Sequence, residues 1–235
     1  MRRLVIYEIR KLFDTRAALI VVSICVVLAV ALGALGLIVR PGGVLTLSEM
    51  AAAAVLPFAF VAPILAVLAA ASDWRSGTIQ HTLFTEPRRE RIFFAKLCAS
   101  VLSSVATSGL TVALSLMTGY FFGTLRGQAV EAGDLGSMLW GVASLVIPGS
   151  LFGFGLGALF LSAPLAISLV LLVEIVLDVA LSALPNDAGA YFTSASLPDW
   201  LVSGDHPLAA LSSFALWIAT PLGLGLYRYL SAEAR

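Results

Sequence analysis

WRSGTIQHTLFTEPRRER, residues 74–91, stands between two apolar runs, 50–71 and 92–122, and carries four of the chain's fourteen basic residues. A segment so polar cannot lie in hydrocarbon, while each neighbouring run has the length of about 20 residues that a helix needs to cross about 30 Å of bilayer core. The segment is therefore read as a connection between two membrane crossings. The whole composition agrees. Of the 235 residues, 60% are hydrophobic and 12% charged, and the mean hydropathy of +0.99 lies far outside the soluble range. Fourteen basic and fourteen acidic residues cancel, so net charge points to no nucleic-acid partner, and the position of the charges carries the information.

Working outward, six runs can cross: 17–39, 50–71, 92–122, 138–161, 164–184 and 208–229. They have helical length and lack the alternation of about ten residues expected of barrel strands. The expected fold is all-α, an integral membrane protein of six transmembrane helices forming one membrane domain over 17–235, preceded by residues 1–16. With the N-terminus inside, twelve basic residues fall on the inner side, and only Arg40 and Arg126 fall outside. Both termini are thus expected in the cytoplasm and the chain in the plasma membrane of a bacterium. The first run exceeds the 7–15 residues of a signal h-region and reads as a retained anchor. Cys25 and Cys98 read as small packing residues.

In MRRLVIYEIRKLFDTR, residues 1–16, Leu4, Val5, Ile9, Leu12 and Phe13 recur at helical spacing, and Arg2, Arg3, Glu8, Arg10 and Lys11 fill much of the remainder. This is an amphipathic helix for the inner leaflet, attracted to anionic membrane lipid. The 73–91 segment has its own punctuation. Asp73 is expected to cap a short helix running to Phe84, Thr85 a second, and Pro87 is tolerated in a first turn. Positive-inside bias explains the arginines. It does not explain Trp74, Ile79, Leu83 and Phe84, apolar side chains whose burial would each contribute about 1.5–3 kcal/mol to docking a cytosolic protein.

These residues resemble a family. SDWRSGTIQHTLFTEPRRERIFFAKL is similar to the cytoplasmic loop of the type-2 ATP-binding-cassette (ABC-2) exporter permeases. There an acidic residue, an Arg and a Gly-Thr pair precede a Pro, basic residues and an Ala/Gly-Lys. Here these are Asp73, Arg75, Gly77, Thr78, Pro87, Arg88, Arg89, Arg91, Ala95 and Lys96, with Asp where Glu is commoner. The resemblance implies that residues 73–84 are a coupling helix seated on a separate nucleotide-binding ATPase subunit, through Asp73, Trp74, Arg75, Gly77, Thr78, Ile79, Leu83, Phe84, Pro87, Arg88 and Arg89. It also implies a second permease subunit, identical or related, and ATP with Mg bound by the partner ATPase, with no cofactor on this chain. The chain has no GxxxxGK[ST] loop and is not expected to be an enzyme.

Within the membrane, Gly149, Gly153 and Gly157 follow Pro148 at four-residue spacing and form a smooth ridge for helix packing, with Pro148 a hinge candidate. Ser104, Ser108, Thr111, Ser115 and Thr118 make a polar stripe that packs against a neighbour or lines a path. Glu174 and Asp178, four apart, share a helix face near mid-membrane, where a charge costs about 2.5–3.5 kcal/mol unless paired. Ser108, Thr111, Ser115, Glu174 and Asp178 are the substrate-path candidates, and the acids suit a cationic or amphipathic substrate. The outer loop 185–207 places Tyr191, Phe192 and Trp200 at the membrane boundary, and His206 has no second ligand for a metal. Two alternatives stand beside the exporter: a proton- or cation-coupled secondary transporter using Glu174 and Asp178, and a structural membrane subunit. No motif of a membrane-embedded hydrolase is found.

Overall fold

The computed structural model describes residues 1–14, 16–39, 45–76, 88–127, 130–131 and 133–232. The elements are helices α1 (Arg2–Phe13), α2 (Arg16–Val39), α3 (Leu47–Ser76), α4 (Arg89–Leu125), α5 (Leu135–Phe160), α6 (Ala163–Ser182), α7 (Ser196–Ser203) and α8 (Pro207–Ser231). A 3-10 turn covers Pro185–Tyr191. Strands β1 (Leu45–Thr46) and β2 (Val130–Glu131) pair in parallel and join the α2–α3 and α4–α5 connections. Among the described residues, five helices are long and apolar enough to cross a membrane, and six when α1 and α2 count as one broken crossing. The chain is an all-α, multi-pass membrane protein. At 37 residues α4 is roughly 55 Å long and projects beyond a hydrocarbon core of about 30 Å. Its basic N-terminal turn and its glycine-bearing C-terminal turn need not be apolar.

α5 is the axis of the bundle, and its glycines explain why. Gly149, Gly153 and Gly157 face α3, where a Cβ at Gly153 would lie 2.5 Å from Pro63 Cα and one at Gly157 2.9 Å from Ala70 Cβ. Gly155 faces the other way, and a Cβ there would lie 2.9 Å from Pro221 Cβ on α8. Lipid supplies no hydrophobic drive between helices, so close backbone approach supplies the contact energy. The expected ridge is therefore a packing seam with α3. Around it Phe154, Phe93 and Tyr229 form one apolar cluster, and Phe152, Val67, Val170 and Val173 another.

The polar stripe of α4 is buried at Ser104, Ser108, Thr111 and Ser115. Three of its hydroxyls turn back on their own helix: Ser108 Oγ donates to Val105 O at 3.0 Å, Thr111 Oγ1 to Thr107 O at 2.8 Å and Thr118 Oγ1 to Leu114 O at 2.7 Å, whereas Ser104 Oγ and Ser115 Oγ have no hydrogen-bond partner among the described residues. Back-bonding of this kind satisfies a hydroxyl in lipid without a neighbouring helix. Two expectations need correction. α3 continues through Ser76, so Asp73 lies inside a helix and caps none; its carboxylate is neutralised by lysines, described below, and needs no backbone amides. Cys25 is buried, but Cys98 is exposed on α4.

The 185–207 connection folds into the 3-10 turn and α7, which ends on Gly204 in the left-handed region. At the same end of the bundle, Asp134 caps α5 by accepting from Gly136 N at 3.0 Å and Ser137 N at 3.1 Å. Those bonds, led by the one from the Ser137 amide, hold the Asp134 carboxyl below its ordinary value. The cap therefore stabilises the fold above the unfolded value of 3.8 and is lost as pH falls through the lowered folded value. Asp134→Ala is expected to lower the thermal midpoint slightly at pH 7, with the difference from the parent closing in acid. Melting curves in detergent at neutral and acid pH check this.

Candidate functional site

Two helices depart from α-geometry at one depth. α6 is a π-helix over Leu172–Leu177, where the Asp178 amide bonds to Val173 O, and α8 is one over Phe214–Ala219, where the Thr220 amide bonds to Ala215 O. In α8 the cause is local: Pro221 cannot donate and its ring clashes with the carbonyl four residues back, so the turn before it widens. Thr220 Oγ1 also donates to Ala215 O, at 2.7 Å. Widened turns of this type concentrate at functional sites.

Both π-segments border one cavity of about 200 Å³. α3 contributes Ala59 and Phe60, α5 contributes Pro148, Gly149 and Phe152, and α8 contributes Ser213, Trp217 and Ile218. α6 supplies Glu174 and Asp178, so the two acids do share a face and a space. Their surroundings differ. Asp178 Oδ1 accepts from Ser194 N at 2.9 Å and Asp178 Oδ2 from Ser194 Oγ at 2.5 Å, which ties the connection before α7 to α6. Glu174 Oε2 is buried and has no hydrogen-bond partner among the described residues. A second cleft, of about 530 Å³, adjoins this cavity, with Leu145, Ala195 and Pro198 in the wall of both. It runs toward the strand-bearing end between Ser48, Ser137 and Asp199. Ser108, Thr111 and Ser115 border neither space.

At the opposite end, four charged side chains meet in the protein interior. Lys96 Nζ lies 2.9 Å from Glu8 Oε2 and 2.7 Å from Asp73 Oδ2, and Lys11 Nζ bonds to Asp73 Oδ1. Lys96 and Asp73 are fully buried and Glu8 nearly so. The quartet is neutral as a set and joins α1, the end of α3 and the start of α4. Glu8 was expected on the wet face of α1. At 100° per residue it falls inside the arc spanned by Leu4 and Leu12, and that placement was the available signal for its burial. Lys96, counted with the basic loop, follows four apolar residues, Ile92 to Ala95, of which Ile92, Phe93 and Ala95 are buried.

The residues expected to dock an ATPase separate into three groups. Gly77, Thr78, Ile79, Leu83, Phe84 and Pro87 lie outside the described residues. Arg75 is in the last turn of α3, and Arg88 is exposed just before α4. The others turn inward: Asp73 is in the quartet, and Trp74 stacks edge-on against Tyr229 with centroids 5.7 Å apart. Arg89 Nη1 donates to Leu230 O at 3.1 Å and Ala232 O at 2.5 Å, capping the carbonyl end of α8. The sequence reading passed over Ser194 and Trp217, since neither stands in any motif. No protein-family model and no curated protein matches this chain.

Proposed function

We propose that the chain is the membrane permease subunit of an ATP-binding-cassette exporter, driven by a separate cytosolic ATPase that docks on the segment from Arg75 to Arg88. The observation that carries this reading is the buried quartet. Glu8, Lys11, Asp73 and Lys96 lock α1 to the two helix ends that flank the 77–87 segment, so a push on that segment reaches α3 and α4 together. From Asp73 the α3 helix runs about 20 Å to Phe60 in the cavity wall. Along the way it meets α5 at the Pro63–Gly153 contact. A rigid element thus leads from the ATPase-facing end to the acid-lined cavity, with both chain termini at the cytoplasmic end and a second permease copy completing the exporter.

The test is co-purification. The tagged chain, drawn from its native membrane in mild detergent, is expected to bring a roughly stoichiometric ATPase. Ile79→Asp combined with Leu83→Asp is expected to remove that partner while leaving the chain membrane-inserted and monodisperse. Retention of the ATPase by the double variant would end the docking role of this segment. A second reading, a cation-coupled secondary transporter, is favoured by the unpartnered Glu174 Oε2. It predicts a chain that purifies alone and moves substrate in vesicles under a proton or cation gradient without ATP.

A further inference from the structure

We infer that the Glu174 cavity and the adjoining cleft form one binding site for an amphipathic monocation, whose ammonium head meets Glu174 and whose apolar tail lies in the cleft. This deepens the transport reading by naming the substrate class and the seat of each part.

The charge of the ligand follows from the two acids. Asp178 spends both oxygens on Ser194, and Ser213 Oγ donates to Ser194 O at 3.2 Å, so these groups are committed to holding the connection before α7. Glu174 Oε2 alone is buried, unpartnered and on the cavity. In the cavity the carboxylate oxygen of Glu174 that lacks a partner among the described residues suits a cationic head, whose charge-assisted bond is about twice as strong as that of a neutral donor, and an occupant without a donor would leave it unsatisfied at a desolvation cost.

The chemistry of the walls selects an organic cation over a metal ion. Calcium takes six to eight oxygen ligands and magnesium about six. Here the wall is mostly apolar, with Phe60, Phe152, Trp217 and Ile218 prominent, and the side-chain oxygens of Asp178, Ser194 and Ser213 are engaged with one another or with backbone. Among the described residues no group of three or more metal-ligating side chains exists. Aromatic faces do suit an ammonium. Trp217 is fixed for that role, since Nε1 donates to Phe192 O at 2.8 Å and its ring meets Phe152 edge-on at 5.6 Å. The cleft that opens past Leu145 is lined by Val55, Leu56, Met138 and Val142, a surface for hydrocarbon. An ammonium alone would leave that space unfilled, and a hydrocarbon alone would not pair Glu174.

The experiment is equilibrium binding of radiolabelled octylammonium to the purified full chain in phosphatidylcholine nanodiscs, with empty discs subtracted. Saturable binding is expected, displaced by unlabelled octylammonium and not by 1-octanol. Glu174→Gln is expected to weaken it about tenfold or more, the loss of a charge-assisted contact. Asp178→Asn, which still offers an oxygen to Ser194, is expected to weaken it by less than about threefold. Equal displacement by octanol, or unchanged binding in Glu174→Gln, overturns the proposal. Should Glu174→Gln fail to fold, dicyclohexylcarbodiimide labelling of the parent, mapped by mass spectrometry, decides instead. Labelling at Glu174 slowed by octylammonium supports the site, and labelling at an unchanged rate overturns it. Discs that also contain phosphatidylethanolamine identify the source of the amine: lowered octylammonium affinity assigns the site to a lipid amine, and unchanged affinity to a free one. No ATPase is present in these assays, so failure of the docking experiment and failure of this one are separable.

Discussion

Lys96→Ala is expected to remove most of the folded protein recovered in detergent. The lysine is fully buried and neutralises Asp73 at 2.7 Å and Glu8 at 2.9 Å. Without it two carboxylates face each other in the interior near Lys11, which is one-quarter exposed. Breaking a buried pair by deleting one partner costs about 3–5 kcal/mol, because the surviving charge stays desolvated. That is a large share of the 5–15 kcal/mol by which proteins are ordinarily stable. The companion variant separates charge from packing. Lys96→Met combined with Glu8→Gln and Asp73→Asn removes both buried carboxylates at near-constant volume, leaves the charge of Lys11, which is one-quarter exposed, to water, and is expected to recover much of the lost stability, a non-additivity typical of residues in one network. Heating followed by size-exclusion chromatography measures both. If the triple variant were no better than the single one, the quartet would matter through shape and not through charge.

The quartet also marks where sequence reading stopped. Hydropathy located the long apolar helices to within a few residues, because a run of about 20 apolar residues has one physical meaning in a chain of this composition. The glycine ridge was legible for the same kind of reason: three glycines at four-residue spacing make a smooth face whatever stands opposite. Glu174 and Asp178 were legible because carboxylates inside an apolar run are costly. What lay opposite was not legible. That Asp178 is held by Ser194 and Glu174 is not depends on a connection sixteen residues further on, and no local spacing encodes it. Trp74 reads as a docking aromatic until Tyr229, at the far end of the chain, is found against it. Lys96 and Arg89 are ordinary inner-side cations by sequence; one becomes a core ion and the other a helix cap only through partners 88 and 141 residues away.

These long-range contacts set one end of the bundle apart from its middle. At the basic end, ion pairs and the Phe93–Tyr229–Trp74 aromatic contacts bind α1, α3, α4 and α8 into one block. At mid-depth the backbone loosens instead, with two π-segments and Pro148 around a cavity. The rigid end and the irregular middle share two helices: α3, from Asp73 and Trp74 to Phe60 in the cavity wall, and α8, from Tyr229 to Trp217.

The seam between α3 and α5 is therefore where a small change has a large effect, and the three ridge glycines give a graded test. A Cβ at Gly153 would meet the backbone of Pro63, including Cα at 2.5 Å, and backbone cannot swing aside. At Gly157 the nearest atoms are Ala70 Cβ at 2.9 Å and Val67 Cα at 3.0 Å. At Gly149 the nearest is the Pro63 ring at 3.4 Å, an ordinary contact. Gly153→Ala is expected to cost about 1–3 kcal/mol or more by overpacking, Gly157→Ala less, and Gly149→Ala almost nothing. Gly153→Leu is expected to prevent assembly of the bundle. Melting midpoints in detergent should fall in the order Gly149→Ala, Gly157→Ala, Gly153→Ala. Gly149→Ala is the informative member, because Gly149 lines the cavity and also meets the Pro63 ring where α3 approaches α5. A variant that melts like the parent yet binds octylammonium differently would locate the link between seam and site there. Equal loss of stability at all three positions would mean that the seam tolerates no methyl anywhere, and that the approach of α3 to α5 is uniform along its length.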